Sequence, residues 1–401
     1  MNRINVLDAL RGFSLFGVII IHMIQQFGIR NISIETSYFD FPLLDYYSRL
    51  FAYNVVMGRF INIFAILFGI SFYIQIKNSY SKKNNFNYFF LRRMTFLFIL
   101  GIAIHSFYNV EILSVYAIFG VVLLIIKKLN NPILLLIAAL LFIGFPRIIQ
   151  SVNHNKNITR EIIKSNSPID QNESVAEYLF KPSLVNSIKD NYSRRLKGKI
   201  NYQFGMFGRG YVTLGLFLIG FLVGRSGFLE NIKRNKIKIK KMFIISIIVF
   251  TSLSIFKNLL PEVNTRLLFV PGNKEISFEL LLVKSVQDLL LVVSSFILSL
   301  GFILLYNLNK YQKYLDQLSP YGRAALTNYT LQGLFGLFLF SPWALGSYFL
   351  NFGNFSLLII GIFIYIIQML VSNAYLKKYR YGPLEWLWRS FSYKKIQKQL
   401  I

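Results

Sequence analysis

Long apolar stretches separated by short polar segments recur along the whole chain. Runs of about 20 apolar residues are long enough to cross the hydrocarbon layer of a membrane as α-helices. The runs are continuous rather than alternating, which disfavours a membrane β-barrel. The pattern therefore predicts an all-α protein, a polytopic transmembrane helical bundle. Its predicted spans, about ten in number, cover residues 9–28, 51–76, 89–108, 110–127, 131–147, 209–225, 241–260, 278–306, 321–341 and 355–376.

Basic residues mark every second loop between these spans. Lys and Arg concentrate at 77–93, 127–128, 225–241, 310–313 and 377–398. Apart from 148–208, the loops between those sets have few basic residues, and the segments 106–110 and 342–354 have none. Cytoplasmic loops of membrane proteins carry an excess of Lys and Arg. We therefore predict that both termini lie in the cytoplasm.

One long polar segment divides the predicted spans. Residues 148–208 are rich in Asn, Ser and Lys and fall on the predicted outer side. Long loops cross a membrane largely regardless of their charge, so this basic segment is compatible with the predicted topology. The predicted organisation is an amino-terminal bundle at 1–147, an extracytoplasmic loop at 148–208, and a carboxy-terminal bundle with a basic tail at 209–401. We expect partial order in the loop, with an amphipathic helix around 174–184, and the loop is either a spacer or a lid.

Composition supports the membrane interpretation. Of the 401 residues, 54% are hydrophobic and only 15% are charged, and the mean hydropathy is +0.49. Soluble domains carry about 25% charged residues. The formal net charge is +27, but the basic residues lie mainly in loops and tails, where they meet anionic lipid head groups rather than nucleic acid. The chain has no cysteine, which excludes disulfides, thiol nucleophiles and thiolate metal sites. We expect the first span to stay uncleaved, because no small-x-small cleavage site follows it.

The first predicted span carries Arg11 near its start and His22 inside it. Helical steps of about 100° bring these side chains onto one face, about 16 Å apart along the axis. The arginine would then sit at the membrane surface and the imidazole inside the membrane. Ionisable groups at that depth are costly and usually functional. Asp8, three residues before Arg11, can pair with it and is expected to give structural support.

A second histidine lies at a similar predicted depth. His105 follows Arg93, which marks the start of the third span, at a distance of about 18 Å along a helix. Taken alone, each imidazole would be either a polar core residue or part of a site. Because His22 and His105 lie at the same predicted depth, the pair indicates a site. Glu111 begins the fourth span, where it either orients an imidazole or is an interfacial carboxylate at a helix N-terminus. His154, in the polar loop, is expected to be solvated.

Glycine-arginine pairs supply candidate phosphate-binding residues. They occur at 58–59, 208–209, 224–225 and 322–323. Arg225 and Arg323 fall on the predicted cytoplasmic side, where a phosphate-bearing donor would arrive. Arg59 lies deeper and needs a partner. The alternative for most of these arginines is contact with lipid phosphate at the membrane surface.

A further polar group interrupts the eighth span. Asp288 has Lys284 one turn earlier and Gln287 beside it. This group is either a packing contact or part of a polar channel. The sequence contains no P-loop, no His-Glu-x-x-His and no nucleophile elbow. The spacing of His22, His105 and Glu111 is not a metal signature, so we predict no metal site.

Several motifs resemble a known family. The start, Leu7-Asp8-Ala9-Leu10-Arg11-Gly12 followed by His22, resembles acyltransferase family three and related transmembrane acyltransferases. The chain also resembles a branch of that group, the YeiB-like, domain-of-unknown-function 418 family, over nearly its full length except 148–208. The motifs that carry this likeness are Phe68-Gly69, Gly101 to His105, Glu111-Ile112-Leu113, Tyr116-Ala117, Gly322-Arg323-Ala324-Ala325-Leu326-Thr327-Asn328-Tyr329 with Gln332, and Tyr381-Gly382-Pro383-Leu384-Glu385-Trp386-Leu387-Trp388-Arg389-Ser390.

The resemblance implies a multi-pass protein of the bacterial cytoplasmic membrane and an acyl-transfer hypothesis. An acyl-CoA, most simply acetyl-CoA, would be a co-substrate rather than a tightly bound cofactor, and Arg11 with Arg59, Arg225 or Arg323 would hold its phosphates. His22, His105 and Glu111 would be catalytic, with one histidine as general base toward a glycan or lipid acceptor. Many members of the branch have asparagine at the position of His22, which makes His105 the more general candidate base. Asn328, in the carboxy-terminal motif, is expected to support the site.

Two other classes of function compete with this hypothesis. A transporter or flippase would use the intramembrane polar residues as a proton or substrate path. A non-catalytic membrane scaffold or sensor would tolerate replacement of both histidines. The sequence predicts membrane lipids as partners in every case, and it leaves the oligomeric state and the acceptor open.

Overall fold

The computed structural model describes residues 5–27, 41–80, 85–162, 182–228, 232, 234–272, 274–349 and 352–401. These residues form helices joined by short turns, and no strand occurs among them apart from one isolated bridge between Tyr379 and Leu400. The all-α prediction is therefore confirmed for the described part of the chain.

The α-helices, numbered in chain order, have the following bounds. They are α1 (Asn5–Ile21), α2 (Pro42–Phe51), α3 (Arg59–Tyr80), α4 (Phe86–His105), α5 (Leu113–Ile126), α6 (Asn131–Ile143), α7 (Phe145–Ile162), α8 (Leu184–Asp190), α9 (Leu196–Phe204), α10 (Arg209–Arg225), α11 (Lys236–Leu259), α12 (Phe278–Tyr306), α13 (Asn309–Asp316), α14 (Leu318–Arg323), α15 (Ala325–Phe340), α16 (Asn354–Lys378) and α17 (Pro383–Tyr393). Short π-helical turns cover His22–Phe27, Ala52–Val56 and Asn191–Arg195, and 3-10 turns cover Thr265–Leu268 and Gly346–Phe349.

The helices identify a multi-pass membrane protein with six to eight candidate spans in the described residues. Six helical segments are long and apolar enough to cross a membrane: Asn5–Ile24, Pro42–Ser79, Phe86–His105, Lys236–Leu259, Phe278–Tyr306 and Asn354–Lys378. Two bent pairs, Asn131–Ile143 with Phe145–Ile158 and Leu184–Phe204 with Arg209–Arg225, raise the number to eight. The remaining predicted spans coincide with shorter helices, since α5 has 14 residues and α15 has 16. Ten spans and cytoplasmic termini stay predictions.

Helix α1 lies at the centre of the bundle. Of its span, 78% is buried inside the protein, against 6% for α11 at the periphery. Two glycines allow α14 to approach α1 closely. A side chain on Gly12 would collide with the carbonyl oxygen of Leu318, and one on Gly322 would collide with that of Asp8. The glycines of the two matching motifs therefore interlock the start of α1 with α14.

Helices from before and after the long polar segment share one apolar core. Helix α10 packs along α3, where Gly69 and Gly220 bring the two backbones together. The polar segment itself is partly helical, because α7 extends into it and α8 and α9 end it. The amphipathic helix expected around 174–184 falls mostly on residues outside the described part, and the described helix begins at Leu184.

Candidate functional site

A cavity of about 1010 Å³ lies between α1, α3, α4, α5, α14, α15 and α17. Its polar lining residues come from the first turns of α1 and α4, the last turns of α3 and α14, and α17. Apolar side chains line the whole cavity, but the first turns of α3, the middle of α4 and the start of α5 contribute no charged residue to the lining. The cavity therefore has one polar and one apolar end, in a volume that is large enough for a sizeable organic ligand.

Arginines dominate the polar end. Arg11, from α1, forms an ion pair with Asp8 and donates a hydrogen bond of 2.6 Å to the Ser71 hydroxyl on α3. Arg93, from α4, stacks its guanidinium 3.7 Å from the ring centroid of Trp388 on α17. The indole Nε1 of Trp388 in turn donates to the Arg93 carbonyl oxygen at 2.8 Å. Arg389 lies 4.5 Å above the ring of Tyr381. Trp388 of α17 and Tyr381, which precedes α17, therefore each contact one of the arginines.

The charges at this end do not balance. The lining residues include four arginines (Arg11, Arg93, Arg323 and Arg389) but only two carboxylates (Asp8 and Glu385), an excess of two positive charges. Arg93 and Arg389 form no ion pair with a described acidic residue, and their Nε atoms make no hydrogen bond within the described part of the chain. Buried guanidinium donors without a partner are suited to bind an anion.

Glu385 is occupied by the protein itself. Its carboxylate accepts hydrogen bonds from the backbone N–H groups of Leu326 at 2.6 Å and Thr327 at 3.1 Å, and from the Thr327 hydroxyl at 2.6 Å. Burial raises the pKa of the Glu385 carboxyl, and the hydrogen bonds from Thr327 and Leu326 oppose that rise. Because it caps the N-terminus of α15, this carboxylate offers little compensation to the arginines of the cavity.

The apolar end of the cavity reaches the surroundings of His22. Ile61, Phe64, Leu97 and Leu113 line this end, together with Tyr329 from α15. The Tyr329 ring centroid lies 5.9 Å from that of His22, and its hydroxyl oxygen accepts a hydrogen bond from the Ile112 N–H at 3.2 Å. His22 is not itself a lining residue. Tyr329 is therefore the residue that joins the cavity to the histidine.

His22 lies beside another buried polar group that has no hydrogen-bond partner among the described residues. The α-helical part of the first span ends at Ile21, and a π-helical turn begins at His22, a geometry often found at functional sites. The ring of Tyr108 lies 5.2 Å from the imidazole, centroid to centroid. The His22 Nδ1 and the Tyr108 hydroxyl are buried and have no hydrogen-bond partner among the described residues. Such groups call for a water molecule or a ligand.

His105 and Glu111 belong to an adjoining polar group. The His105 Nε2 lies 3.1 Å from the Asn191 carbonyl oxygen, and the ring contacts Tyr192. Glu111 forms an ion pair with Lys199 of α9 and accepts a hydrogen bond of 2.5 Å from the Ser114 hydroxyl. The two histidines touch different tyrosines, so their joint action stays a prediction. Among the described residues, no three His, Asp or Glu side chains form a group that could hold a metal ion.

The other predicted site residues lie in varied places. Arg323 lines the cavity and donates to the Arg380 carbonyl oxygen at 3.2 Å. Arg59 donates to the Met57 carbonyl oxygen at 3.3 Å, and Arg225 donates to the carbonyl oxygens of Lys127 and Leu129. Neither Arg59 nor Arg225 is a lining residue. Asn328 donates to the Tyr321 carbonyl oxygen at 3.1 Å and to the Ser372 hydroxyl at 2.9 Å, behind the cavity wall.

The sequence does not single out three residues of this region as site residues. Arg93 marks the start of a predicted span, Arg389 belongs to a family motif, and Lys199 is one of many basic residues in the loop. The motif Trp386-Leu387-Trp388-Arg389, with its two tryptophans before an arginine, was the one signal in the sequence for an aromatic and cationic wall. No local signal relates Lys199 to Glu111, which lies 88 residues away.

The sequence is similar to one family of proteins and to several bacterial proteins. Residues 223–395 match the family described as "Protein of unknown function (DUF418)". The uncharacterized protein YxaH of Bacillus subtilis (strain 168) is 24% identical over 98% of this chain and 94% of its own length. An uncharacterized 39.9 kDa protein in the amylase 3' region of Bacillus acidopullulyticus is 28% identical over the same shares. The uncharacterized protein YeiB of Escherichia coli (strain K12) is 41% identical over 71 residues, 18% of each chain.

These matches support the YeiB-like DUF418 resemblance. The family match contains α14, α15 and α17, which form the arginine-rich wall of the cavity together with α1 and α4. The relatives with full-length matches are bacterial, which fits a bacterial multi-pass membrane protein. No solved structure gives a significant match.

Proposed function

We propose that the protein is a membrane acyltransferase that moves an acyl group, most simply acetyl, from a cytoplasmic acyl-CoA to a glycan or lipid acceptor. One observation carries the proposal. A single cavity joins an arginine-rich end with excess positive charge to an apolar end that stops at Tyr329, in contact with His22. An acyl-CoA molecule likewise has a charged end, which carries the phosphates, and a less polar end, which carries the acyl thioester.

The donor would enter with its phosphates at the polar end. Arg93 and Arg389 have unused donors there, and Arg11 and Arg323 add positive charge. Charge-assisted hydrogen bonds from guanidinium groups to phosphate are about twice as strong as bonds between neutral groups. The pantetheine arm and the thioester would lie along the apolar part, toward Tyr329. The basic residues of α4 and α17 lie on the predicted cytoplasmic side, where acyl-CoA is present.

The chemistry would take place around His22. A histidine accepts the proton of an acceptor hydroxyl or amine as the oxygen or nitrogen attacks the thioester carbonyl carbon. The carbon–sulfur bond breaks, the acyl group stays on the acceptor, and the proton passes to the thiolate, which leaves as coenzyme A. His22 lies beside Tyr108 and Tyr329, and its buried Nδ1 has no partner among the described residues, so this nitrogen is available to accept the proton. His105, Glu111 and Lys199 would form the side that faces the acceptor.

The test is transfer by purified protein in lipid nanodiscs. Radiolabelled acetyl-CoA is supplied with membranes from the host as the source of acceptors, and label in the lipid and glycan fractions is followed. We expect His22→Gln to lower the rate by about 10²–10⁴-fold, the usual contribution of a general base. His105→Gln is measured in parallel to decide which histidine is the base. Arg225→Gln, outside the cavity, is the matched control and should transfer at the wild-type rate.

Two results would count against acyl transfer. One is the absence of coenzyme A binding to the wild-type protein, and the other is wild-type transfer by both histidine variants. Uptake of a solute into sealed vesicles without any transfer of label would favour the transporter class instead.

A further inference from the structure

A second group of charges is buried away from the cavity, where α7, α10 and α12 meet. It consists of Arg147, Arg209, Lys284 and Asp288, whose exposed fractions are 1%, 7%, 3% and 1%. None of the four lines either of the two cavities next to α17. Helix α3 separates this group from the large cavity, because Ile61 lines the cavity and Asn62 contacts Arg209. The proposed acyl transfer makes no use of the group.

Asp288 is the one acidic residue in this group. Its Oδ2 accepts a hydrogen bond of 2.6 Å from Arg147 Nη2, and its Oδ1 accepts one from the Lys284 ammonium. Arg147 also donates to the carbonyl oxygens of Met206 at 2.8 Å and Phe207 at 3.1 Å, so its donors are well used. No other Asp or Glu among the described residues forms an ion pair with these cations.

Arg209 has no acidic partner in the described part of the chain. Its Nη2 donates to the Gly58 carbonyl oxygen at 3.0 Å and to the Asn62 side-chain oxygen. Its Nη1 is buried and makes no hydrogen bond there. An ionised donor in that situation carries the full cost of losing its water.

The cations of this group outnumber its carboxylates. Three cations against one carboxylate leave two excess positive charges, and buried charges are tolerated only when paired. Loss of the Lys284 proton would reduce the excess to one. The Lys284 ammonium forms an ion pair with Asp288, and its nitrogen lies 4.2 Å from the centroid of the Phe207 ring. Even a neutral lysine would leave Arg209 without an anion, because a guanidinium stays charged.

We infer that this group binds a small monovalent anion, chloride under cellular conditions, next to the Nη1 of Arg209. The four side chains are almost completely buried, so an anion held among them has to be small. The anion would supply the missing acceptor and offset the positive charge. It would thereby stabilise the junction of α7, α10 and α12, whether or not the protein transfers acyl groups.

The experiment measures thermal unfolding of the purified protein in chloride and in gluconate at the same ionic strength and pH. We expect a midpoint that rises with chloride concentration and saturates, with bromide acting similarly. Arg209→Gln, which keeps a polar side chain without the charge, should lose the chloride-dependent rise. Arg225→Gln is the matched control, because Arg225 lies at the other end of the same helix and bonds to backbone carbonyl oxygens. It should keep the full rise.

Chloride binding to the wild-type protein is also measured directly, so that the inference can be tested even if Arg209→Gln fails to fold. Radiolabelled chloride should bind the wild-type protein with one saturable site, and unlabelled bromide should displace it. Asp288→Asn removes the one negative charge and should bind chloride more tightly than the wild type. The inference is overturned if the wild-type midpoint is the same in chloride and gluconate, or if Arg209→Gln binds chloride with unchanged affinity.

Discussion

At the scale of single residues, the arginines of the cavity show what helical spacing can and cannot predict. Spacing within one helix places Arg11 at the start of the span that ends near His22. Trp388 meets Arg93 because α17 packs against α4, although the two residues are 295 positions apart in the chain. The periodic pattern of the sequence does not predict that contact. It depends on the packing of Trp388 of α17 against α4.

The first prediction concerns Arg93. Arg93→Met should weaken coenzyme A binding by about 10- to 100-fold, the range that a hydrogen bond to a charged group supports. The cavity would then keep its shape and lose one donor that has no other partner. Arg93→Lys should recover only part of the affinity, because an ammonium lacks the planar fork and stacks less well on Trp388. Titration calorimetry in nanodiscs gives the affinities.

The matched control for Arg93 is Arg225→Met. Arg225 also stacks on a phenylalanine, Phe221, at 4.5 Å from the ring centroid, but it lies outside the cavity. It should bind coenzyme A like the wild type. Equal affinities for Arg93→Met and the wild type would show that the donor phosphates bind elsewhere.

At the scale of elements, the predicted span 321–341 is in fact two helices. Helix α14 ends at Arg323 and α15 begins at Ala325, with a break at Ala324. A helix start leaves backbone N–H groups without partners, and Glu385 accepts two of them. The cap comes from a residue almost 60 positions later. The apolar pattern predicts the helical segment correctly, and the break escapes it because the compensating carboxylate is distant in sequence.

The second prediction concerns that cap. Glu385→Ala should lower the free energy of unfolding by about 1–2 kcal/mol, the usual cost of losing a helix N-cap. The measurement is reversible unfolding in detergent, followed by circular dichroism. Thr327→Val, which removes the hydroxyl partner but keeps the two backbone bonds, should cost less. Equal losses for the two variants would mean that Glu385 does not cap α15.

The third prediction is that the Glu385 carboxyl makes the free energy of unfolding depend on pH. Because burial raises its pKa in the folded protein, the folded state binds the proton more tightly than the unfolded state does. Its favourable contribution is therefore complete below the ordinary value of 4.5 and is lost as the pH rises through the raised pKa. Glu385→Gln stays neutral, so the stability of the wild type relative to this variant should fall with rising pH in that window. A constant difference would contradict the raised pKa.

At the scale of the whole molecule, the apolar pattern predicts the helical class, and six to eight of the predicted spans coincide with helical segments that are long and apolar enough to cross a membrane. It does not predict which helices are central. Helices α1 and α11 are both strongly apolar, yet one is mostly buried and the other mostly exposed. The difference arises from glycines and polar contacts that bind α1 to α14, α3 and α16. The cavity depends on the same arrangement, since its walls come from helices on both sides of the long polar segment.

The last prediction concerns orientation, on which entry of a cytoplasmic donor depends. Basic residues concentrate in alternate loops, so the tail should face the cytoplasm and the segment 148–208 the outside. Because the chain has no cysteine, a single introduced thiol reports one position. Pro182→Cys and Lys395→Cys both lie at exposed positions, and Pro182 precedes the helical pair that could enter the membrane. In intact cells an impermeant maleimide should label Pro182→Cys strongly, and Lys395→Cys only after permeabilisation. The reverse result would place the arginine-rich end of the cavity outside, where acyl-CoA is absent, and the proposed donor would then be wrong.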